Sequence, residues 1–523
     1  MNRQQGKSQF VAGLCLAGLL LAIPLPVQAE GPGIRELLTA RSANSSRIEL
    51  YEFYAARGFK AAWNGENRKV ALDVLASAAG EGLMPENYYL PGKADIAASD
   101  IDLTRSVLRY AKDVRIGRLP PAFVYGDADF GSQPFDAGTA LRAALDNGEL
   151  PKFFSDLPPE QSEYAFLRTA LAQYRRIAAE SGWRPFPPLK GAAADLPPGE
   201  QEALLNRLSA EDPTIDRSTS DEATLNAALL RFQSRHGLEA DGKIGPHTLK
   251  ALNITASARV LQIEANMERW RWLPHRLEDR YIMVNTADAS LQAVDNGKVV
   301  LTSRVVVGKP RSPTPMFAAT IVAVTVNPPW NVPASIARKE LLPKLKRNRA
   351  YLAGQQMVLS KAPPGDPHGL TVNWAAISRS HFPYQIQQLP GRTNALGQLK
   401  LEMPNRFDVY LHDTPAKGLF ARNDRFFSHG CMRVQQVGAL AKYALTGNPE
   451  ADVARLIAKD DATDRLPLDK PLRAYVVYWT VFRDADGNIA FRDDIYGRDE
   501  RLISALFTKR IAQRSVPQIE CSG

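Results

Sequence analysis

A short segment toward the C-terminal end of the chain contains the residues with the clearest chemical potential. Cys431 follows Ser428, His429 and Gly430, and His412 lies upstream of this group. A cysteine thiolate is a strong nucleophile, an imidazole can accept its proton, and the amides of a tight turn can stabilise an oxyanion. These residue types are therefore typical of nucleophilic acyl transfer.

Two other interpretations use the same residue types. One is a zinc site, because imidazole, thiolate and carboxylate groups are all zinc ligands. The candidate ligands are His412, Asp413, His429 and Cys431. The other is a buried cysteine beside two hydrogen-bonded histidines, which would have no chemical role. The residues alone favour acyl transfer and leave both alternatives open.

The residues around the cysteine predict a strand and a helix that position it. Apolar and polar residues alternate over 407–412, so a strand would bury Leu411 on one face and place His412 at its exposed end. Apolar residues at helical spacing over 437–444 predict a helix, which places Cys431 near a helix N-terminus. A helix dipole, an adjacent imidazole and a nearby arginine would favour the thiolate of a thiol whose ordinary pKa is about 8.5.

Short β-rich runs separated by turn residues predict a β-rich domain of catalytic size over 257–482. The runs lie at 281–284, 291–294, 299–301, 304–307, 321–326, 407–411 and 475–482. Between Asn331 and Gly391 the β pattern lapses into a basic helical piece and a Pro/Gly-rich stretch. This lapse predicts an insertion at about 336–390 that caps a cleft. Residues 483–523 are expected to form a C-terminal extension.

Two helical units are expected before this domain. Residues 30–180 show mostly helical spacing and no histidine, which predicts a scaffold role. Several prolines then predict a linker at 181–195. Residues 196–256 predict a helix, a glycine-bearing turn and a second helix, with His236 and His247 interpreted as surface or cap residues.

The first 29 residues have the pattern of a signal peptide. Arg3 and Lys7 precede an apolar run, and small residues ending at Ala29 form a cleavage pattern. We expect export to the periplasm, and the alternative is an uncleaved membrane anchor. Membrane contact is expected only through this segment.

Cysteine usage and composition narrow the functional class further. Only Cys431 and Cys521 follow the signal segment, so no disulfide framework is expected, although the two could pair with each other. A length of 523 residues with 45% hydrophobic residues predicts several folded domains. The net charge of +9 is scattered, without the basic stripe that nucleic-acid binding requires, so nucleic acid is not an expected partner.

Several motifs resemble one family of cell-wall enzymes. The segment HDTPAKGLFARNDRFFSHGCMRV at 412–434 is similar to the signature of YkuD-type L,D-transpeptidase catalytic domains. The large YcbB-like branch of that family is resembled by MERWRWLP at 267–274, VVVGKPRSPTP at 305–315, NPPWNVPASI at 327–336, PGRTNALGQLK at 390–400 and FRDDIYGRD at 491–499. FQSRHGLEADGKIGPHTLKALN resembles the peptidoglycan-binding module.

The resemblance implies an α+β multidomain protein. It would combine a helical scaffold and a three-helix peptidoglycan-binding module with a β-rich YkuD-type catalytic domain that carries a capping insertion. The catalytic residues implied are Cys431 as nucleophile, His412 as general base, and His429 and Gly430 lining the site and shaping the oxyanion pocket. The substrate contacts implied are Arg433, Tyr410 and Ser428. No metal or cofactor is implied.

The reaction implied is cross-linking of the cell wall. In this family the thiolate attacks the carbonyl at the L-centre of diaminopimelate in a tetrapeptide stem and expels D-alanine. The amine of a neighbouring stem then takes the acyl group to give a 3→3 cross-link, with water or a lipoprotein lysine as alternative acceptors. Peptidoglycan stem peptides are the expected partners, and cell-wall synthesis proteins are further candidates. A zinc wall peptidase and a non-catalytic wall-binding scaffold are the disfavoured alternatives, because no H-E-x-x-H motif is present and every required motif position is filled.

Overall fold

The computed structural model describes residues 33–39, 45–88, 96–180, 182–216, 221–447, 452–459 and 462–514. The expected signal peptide at 1–29 and Cys521 lie outside these residues. Within the described ranges, no helix combines the length and the apolar character needed to cross a membrane.

The N-terminal region is helical, as its apolar spacing predicted. Its helices are α1 Ile34–Thr39, α2 Ser45–Ala56, α3 Gly65–Ala76, α4 Ile96–Arg115, α5 Pro121–Val124, α6 Ala137–Asp146, α7 Leu150–Ser155 and α8 Ser162–Ala179, with a strand β1 Ala128–Asp129 between α5 and α6. Polar side chains cap two of them: Asn64 accepts from the Asn67 amide at 2.8 Å, and Asp136 accepts from the Thr139 amide at 2.9 Å. Helices α1 to α4, α6 and α7 share one apolar core, whereas Val124 of α5 packs in the same core as α8.

A three-helix module follows. It consists of β2 Gly191–Ala192, α9 Pro198–Glu211, α10 Glu222–Arg235, β3 Lys243–Ile244 and α11 Pro246–Leu252, with β2 and β3 antiparallel. Phe186, Leu189 and Ala193 pack in the module's core, and the Asn253 side chain binds the main chain of Phe186 in both directions at 2.7 and 3.1 Å. The predicted Pro-rich linker at 181–195 thus has apolar residues between its prolines that pack on the module.

Helix α12 Ala256–Trp270 connects the module to the β-rich domain. The sequence placed the start of the β-rich domain at residue 257, and α12 occupies that start, whereas the first predicted strand, at 281–284, lies within β4. The end of α12 ties the domains together: the buried Glu268 carboxylate accepts from the amides of Arg118 and Leu119 at 2.5 and 3.1 Å and pairs with Arg271 at 2.9 Å. The motif at 267–274 is thus a structural junction.

A closed sheet forms the β-rich domain. The strands after α12 are β4 Arg280–Asn285, β5 Ser290–Asp295, β6 Lys298–Gly308, β7 Met316–Val326, β8 Trp330–Asn331, β9 Met357–Ser360, β10 Gln385–Gln388, β11 Leu399–Glu402, β12 Leu411–His412, β13 Phe426–Ser428, β14 Met432–Val434, β15 Asp464–Val477, β16 Val481–Arg483 and β17 Ile489–Phe491. The order of the main sheet is β1-β7-β11-β12-β14-β6-β5-β4-β15, with β13 on β6. Because β15 also pairs with β7, the sheet closes around an apolar core.

The insertion is a small folded subdomain. Helix α13 Ala334–Ile336, a π-helical turn Ala337–Leu341 and α14 Leu342–Arg347 run continuously and are followed by α15 Tyr351–Gly354. Strands β8, β10 and β9 form an antiparallel sheet, and a separate core joins this sheet to the helices. The expected lapse of β structure is wrong, because strands of two to four residues are too short to show alternation.

Three helices complete the described fold: α16 Val437–Ala444, α17 Val453–Ile457 and α18 Arg498–Arg514. Helix α16 confirms the helix that the sequence predicted after the cysteine. Leu502 and Leu506 of α18 are buried in one core with residues of α8, α12 and the sheet. The described part of the expected C-terminal extension is therefore integral to the fold.

Candidate active site

Two short strands arrange the residues around the cysteine. Strands β12 and β14 are parallel neighbours, with Leu411 opposite Met432 and His412 opposite Arg433. The Met432 amide donates to the Tyr410 carbonyl at 3.0 Å. Because in-register residues of adjacent strands share a face, Leu411 and Met432 enter the core while His412 and Arg433 lie together on the opposite face.

Cys431 immediately precedes β14 and is half-buried. Its Sγ lies 3.7 Å from the carbonyl oxygen of Asp408, and the side chain of Tyr410 lies beside it. Asp408 has a φ of +55°, which explains why the expected strand over 407–411 is reduced to residues 411–412. Helix α16 begins only at Val437, after β14. The expected helix N-terminus at the cysteine is therefore wrong.

The surroundings of Cys431 favour a protonated resting thiol. Burial raises the pKa of the Cys431 thiol, although hydrogen bonds from Tyr410 and the charges of Lys400 and Arg433 act in the opposite direction. The expected preformed thiolate is thus not the resting form. Burial also raises the pKa of Tyr410 far above its ordinary range, so its hydroxyl stays protonated beside the thiol.

His412 is buried, with 4% of its surface exposed, rather than at an exposed strand end. The reason is that β12 lies between β11 and β14, with Lys400 opposite His412 on the other side. Burial and the positive charge of Arg433 lower the pKa of His412 to about 4, against weaker opposition from main-chain groups and the Asp413 carboxylate. Its Nδ1 has no hydrogen-bond partner. The imidazole is therefore neutral at pH 7, with an unpaired nitrogen.

His429 occupies a different environment. Its Nε2 contacts Oε1 of Glu340 from the insertion, and Nζ of Lys309 lies 3.1 Å from the same nitrogen. Its side chain is 36% exposed. Within the described residues, no hydrogen bond joins Cys431 to His429 or to His412. The structure thus groups Cys431 with His412 on one sheet face and directs His429 toward the insertion.

The turn before the cysteine is held by Ser428 and Thr314. The buried Ser428 Oγ accepts from the Gly430 amide at 3.1 Å, and the Gly430 carbonyl accepts from Thr314 Oγ1 at 2.8 Å. Gly430 has a φ of +128°, a conformation that side-chain-bearing residues rarely adopt. In the ranges that the structure describes, the amides of His429 and Cys431 donate to no protein atom. These two amides, and not that of Gly430, are free to stabilise an oxyanion.

Sequence reasoning did not identify Thr314, which braces the turn from a neighbouring loop. Thr314 Oγ1 accepts from the Gly308 amide at 2.9 Å, and the Thr314 carbonyl accepts from Arg498 at 3.1 Å. A Cβ on Gly308 would lie 2.2 Å from the Ser312 carbonyl oxygen, so only glycine allows this loop geometry. Thr314 lies in the motif at 305–315 and Arg498 in the motif at 491–499, so these two motifs could have indicated that the turn is braced.

Two further side chains border the cysteine and were also missed. The Lys400 ammonium lies 4.4 Å from the centre of the Tyr410 ring. Trp330, at the start of the insertion, lies beside the Tyr410 hydroxyl and acts to lower its pKa, against the larger effect of burial. The insertion therefore reaches the site at two places, through Trp330 and through Glu340.

The candidate zinc ligands are not gathered into one site. Among the described residues, no group of three or more His, Cys, Asp or Glu side chains is placed to hold a metal ion. Asp413 is engaged elsewhere, since it accepts from the Gln398 amide at 3.0 Å and pairs with Lys417.

Comparison with known families agrees with this architecture. The L,D-transpeptidase catalytic domain, YkuD, matches residues 279–451, which include β4 to β14 and the candidate site. The chain contains a YkuD-type L,D-transpeptidase catalytic domain. The other matches are a "Scaffold domain" over residues 49–171 and a "Putative peptidoglycan binding domain" over residues 200–252. The expected α+β combination of a helical region, a peptidoglycan-binding domain and a β-rich YkuD domain is confirmed.

A curated relative carries the same family name. A protein of Haemophilus influenzae, named "Putative L,D-transpeptidase", is 33% identical over 257 residues, which are 49% of this chain and 50% of the relative. The chain thus spans about half the length of the curated relative it matches.

Solved L,D-transpeptidase structures are more distant. A mutant of the Enterococcus faecium L,D-transpeptidase is 14% identical, with a TM-score of 0.19 over 39% of this chain and 52% of that one. The L,D-transpeptidase of Stackebrandtia nassauensis is also 14% identical, with a TM-score of 0.22 over 57% of this chain and 96% of that one. Both scores are too low to transfer any geometry.

Proposed function

We propose that the protein is a peptidoglycan L,D-transpeptidase that forms 3→3 cross-links between diaminopimelate residues through a Cys431 acyl-enzyme. The observation that carries the proposal is the shared face of β12 and β14. That face places Cys431 beside Tyr410, a neutral His412 and Arg433, inside a matched L,D-transpeptidase domain. Each of these groups has a role in acyl transfer.

The first half-reaction uses His412 as the base. Because its folded pKa is about 4, the imidazole is neutral at pH 7 and can take the Cys431 proton when substrate draws the groups together. The thiolate attacks the carbonyl at the L-centre of diaminopimelate, and the amides of His429 and Cys431 stabilise the oxyanion. The C–N bond to D-alanine then breaks, and the proton held by His412 passes to the leaving amine. A thioester to Cys431 remains.

The second half-reaction reverses the proton flow. The amine of a neighbouring stem attacks the thioester, His412 takes a proton from that amine, and the sulfur leaves and is reprotonated. Water in place of the amine would give a carboxypeptidase, and a lipoprotein lysine would give protein anchoring. The match to a peptidoglycan-binding domain supports the wall polymer as partner and favours a stem peptide as acceptor.

The proposed reaction takes place in the periplasm. The support is the sequence pattern of residues 1–29, which has the basic start, apolar run and small-residue end of a signal peptide. Cell-wall synthesis proteins that supply nascent peptidoglycan are further candidate partners.

Intact-mass spectrometry with a carbapenem tests the nucleophile. Wild-type protein should gain the mass of one carbapenem and should convert disaccharide tetrapeptides to cross-linked dimers with loss of D-alanine. Cys431→Ser is nearly isosteric and should do neither, because a serine hydroxyl is a far weaker nucleophile than a thiolate.

The serine variant must keep the wild-type melting temperature for this comparison to hold. An adduct that persists on Cys431→Ser would place the nucleophile elsewhere. Wild-type activity that survives a thiol-alkylating reagent but is lost with a chelator would favour the zinc alternative instead.

A further inference from the structure

Three side chains meet at one nitrogen on the rim of the site. Oε1 of Glu340 and Nζ of Lys309 both approach Nε2 of His429. Glu340 belongs to the π-helical turn of the insertion, whereas Lys309 follows β6 and His429 follows β13 in the catalytic domain. A carboxylate of the insertion therefore lies against a lysine and an imidazole that border the nucleophile.

The hydrogen-bonding chemistry of these groups assigns their roles. A lysine ammonium can only donate, and an ionised carboxylate can only accept. Nε2 has either a lone pair, which could accept from Lys309, or a proton, which could be donated to Glu340, but not both at once. The imidazole therefore donates to the Glu340 carboxylate, and Lys309 contributes a positive charge beside the pair. An N–H donor next to an ammonium is a common way to hold an anionic oxygen.

The lysine and the imidazole are fixed by the catalytic domain. The Lys309 amide donates to the Ser428 carbonyl at 3.0 Å, and Gly430 beside His429 is held by Thr314. These bonds keep the main chain of Lys309 next to that of His429 without any contribution from the insertion.

Glu340 is held less firmly. It lies on a subdomain with its own core, its side chain is 43% exposed, and His429 is its only ion-pair partner among the residues described by the structure. Ion pairs this exposed are weak, because water screens the charges and two side chains must be ordered. Another carboxylate can therefore take the place of Glu340.

We infer that Lys309 and His429 form a carboxylate subsite for the donor stem peptide, occupied in this structure by Glu340. The inference rests on the proposed function and names the substrate group that the site would recognise. The carboxylate of the terminal D-alanine fits, because it lies one residue beyond the carbonyl that Cys431 would attack. His429 is two residues from Cys431, which limits their Cα separation to about 7 Å.

Kinetics with two matched donors test the subsite. The donors are a disaccharide tetrapeptide ending in D-alanine and the same peptide ending in D-alaninamide. Glu340→Gln should lower KM for the carboxylate donor roughly three- to tenfold with unchanged kcat, because a neutral amide competes less well for the subsite. Lys309→Met should raise that KM by a similar factor and should leave the KM of the amide donor at the wild-type value.

Lys339→Met is the matched control, since it removes an exposed charge from the same helical turn as Glu340. It should behave as wild type with both donors. A fall in kcat for Glu340→Gln would make Glu340 an orienting partner of His429 and would overturn the inference, as would an equal effect of Lys309→Met on both donors. If wild-type protein releases no D-alanine from the carboxylate donor, the proposed function itself fails, whereas turnover without the KM changes rejects only the subsite.

Discussion

Two buried histidines, one in the site and one in the three-helix module, have similar electrostatics and different surroundings. The pKa of His412 is lowered to about 4 by burial and Arg433, and that of His236 is lowered to about 3 by burial and Arg259, despite the nearby Glu211 carboxylate. Each ring keeps one nitrogen without a hydrogen-bond partner.

The two imidazole rings differ in the residues that surround them. His236 is stacked between Phe232 and Phe491, with ring centres 3.9 and 5.5 Å away, and its Nδ1 donates to the Phe232 carbonyl at 2.8 Å. His412 instead shares a sheet face with Cys431. A depressed pKa therefore identifies a buried imidazole, and only an adjacent nucleophile makes that imidazole a candidate base.

His236 also corrects the sequence interpretation. It is the C-cap of α10, as one part of that interpretation held, but with 7% of its surface exposed it is not a surface residue. His247 is exposed on α11, in agreement with it. Phe491 lies on β17, outside the module, so the burial of His236 depends on a contact between the module and the rest of the chain. The sequence of the module alone could not predict that burial.

The largest expected effect separates the two histidines by activity. His412→Asn should reduce the rate of carbapenem acylation roughly 10²- to 10⁴-fold, because a general base contributes that much to a proton-transfer step. His236→Asn should leave the acylation rate within a factor of about two, since it touches no reacting group. Stopped-flow fluorescence or timed mass spectra would measure both rates. Equal losses in the two variants would reject His412 as the base.

Acid unfolding should reveal both imidazoles. Each has a folded pKa below its ordinary value of about 6.5, so the unfolded state binds more protons and stability falls as the pH drops. For His412 the free energy of unfolding should fall between pH 6.5 and about 4, by about 3 kcal/mol in total. For His236 the fall should continue to about pH 3. Urea unfolding at a series of pH values would measure the slope.

The matched comparison is the pH slope of His412→Asn, which should be shallower than that of wild type between pH 4 and 6.5. An unchanged slope would mean that His412 is solvated and titrates normally. His247→Asn serves as the control, because the exposed His247 contributes no such burial.

The smallest expected effect concerns packing at the module. His236→Ala removes a ring stacked on Phe232 and Phe491 and should lower the free energy of unfolding by about 2 kcal/mol, with acylation unaffected. His247→Ala should change stability by less than about 0.5 kcal/mol, as surface substitutions usually do. Denaturant titrations would compare the two. If His236→Ala lost binding to peptidoglycan sacculi but kept its stability, His236 would have a role in binding the wall polymer rather than in packing.

Local sequence patterns predicted the helices and strands whose formation depends on residues close together in the sequence. The β-rich runs at 281–284 and 291–294 became β4 and β5, and the helical spacing at 437–444 became α16. A short apolar run and an apolar helical period are both local signals, so they are visible without knowledge of the fold. The cysteine, histidines and arginine of the candidate site were found in the same way, from residue type.

Features that depend on distant pairing were not predictable. Strand β4 pairs in parallel with β15, so that Tyr281 lies opposite Arg473, and no local period indicates such a partner. The burial of His412 follows from its position inside the closed sheet, and the resting thiol follows from that burial. The contact between Glu340 and His429 joins residues from separate folding units, which a linear sequence does not bring together.

Strand β1 has a consequence for the solubility of the protein. It comes from the helical N-terminal region and lies parallel to the start of β7, with Ala128 opposite Met316. Strand β11 pairs with β7 only over 323–326, so β1 covers a part of β7 that β11 does not reach. Unpaired strand backbone is a template for pairing with other chains. A catalytic domain produced without this N-terminal strand would expose such a template, and it would lose resistance to aggregation before it lost any chemistry.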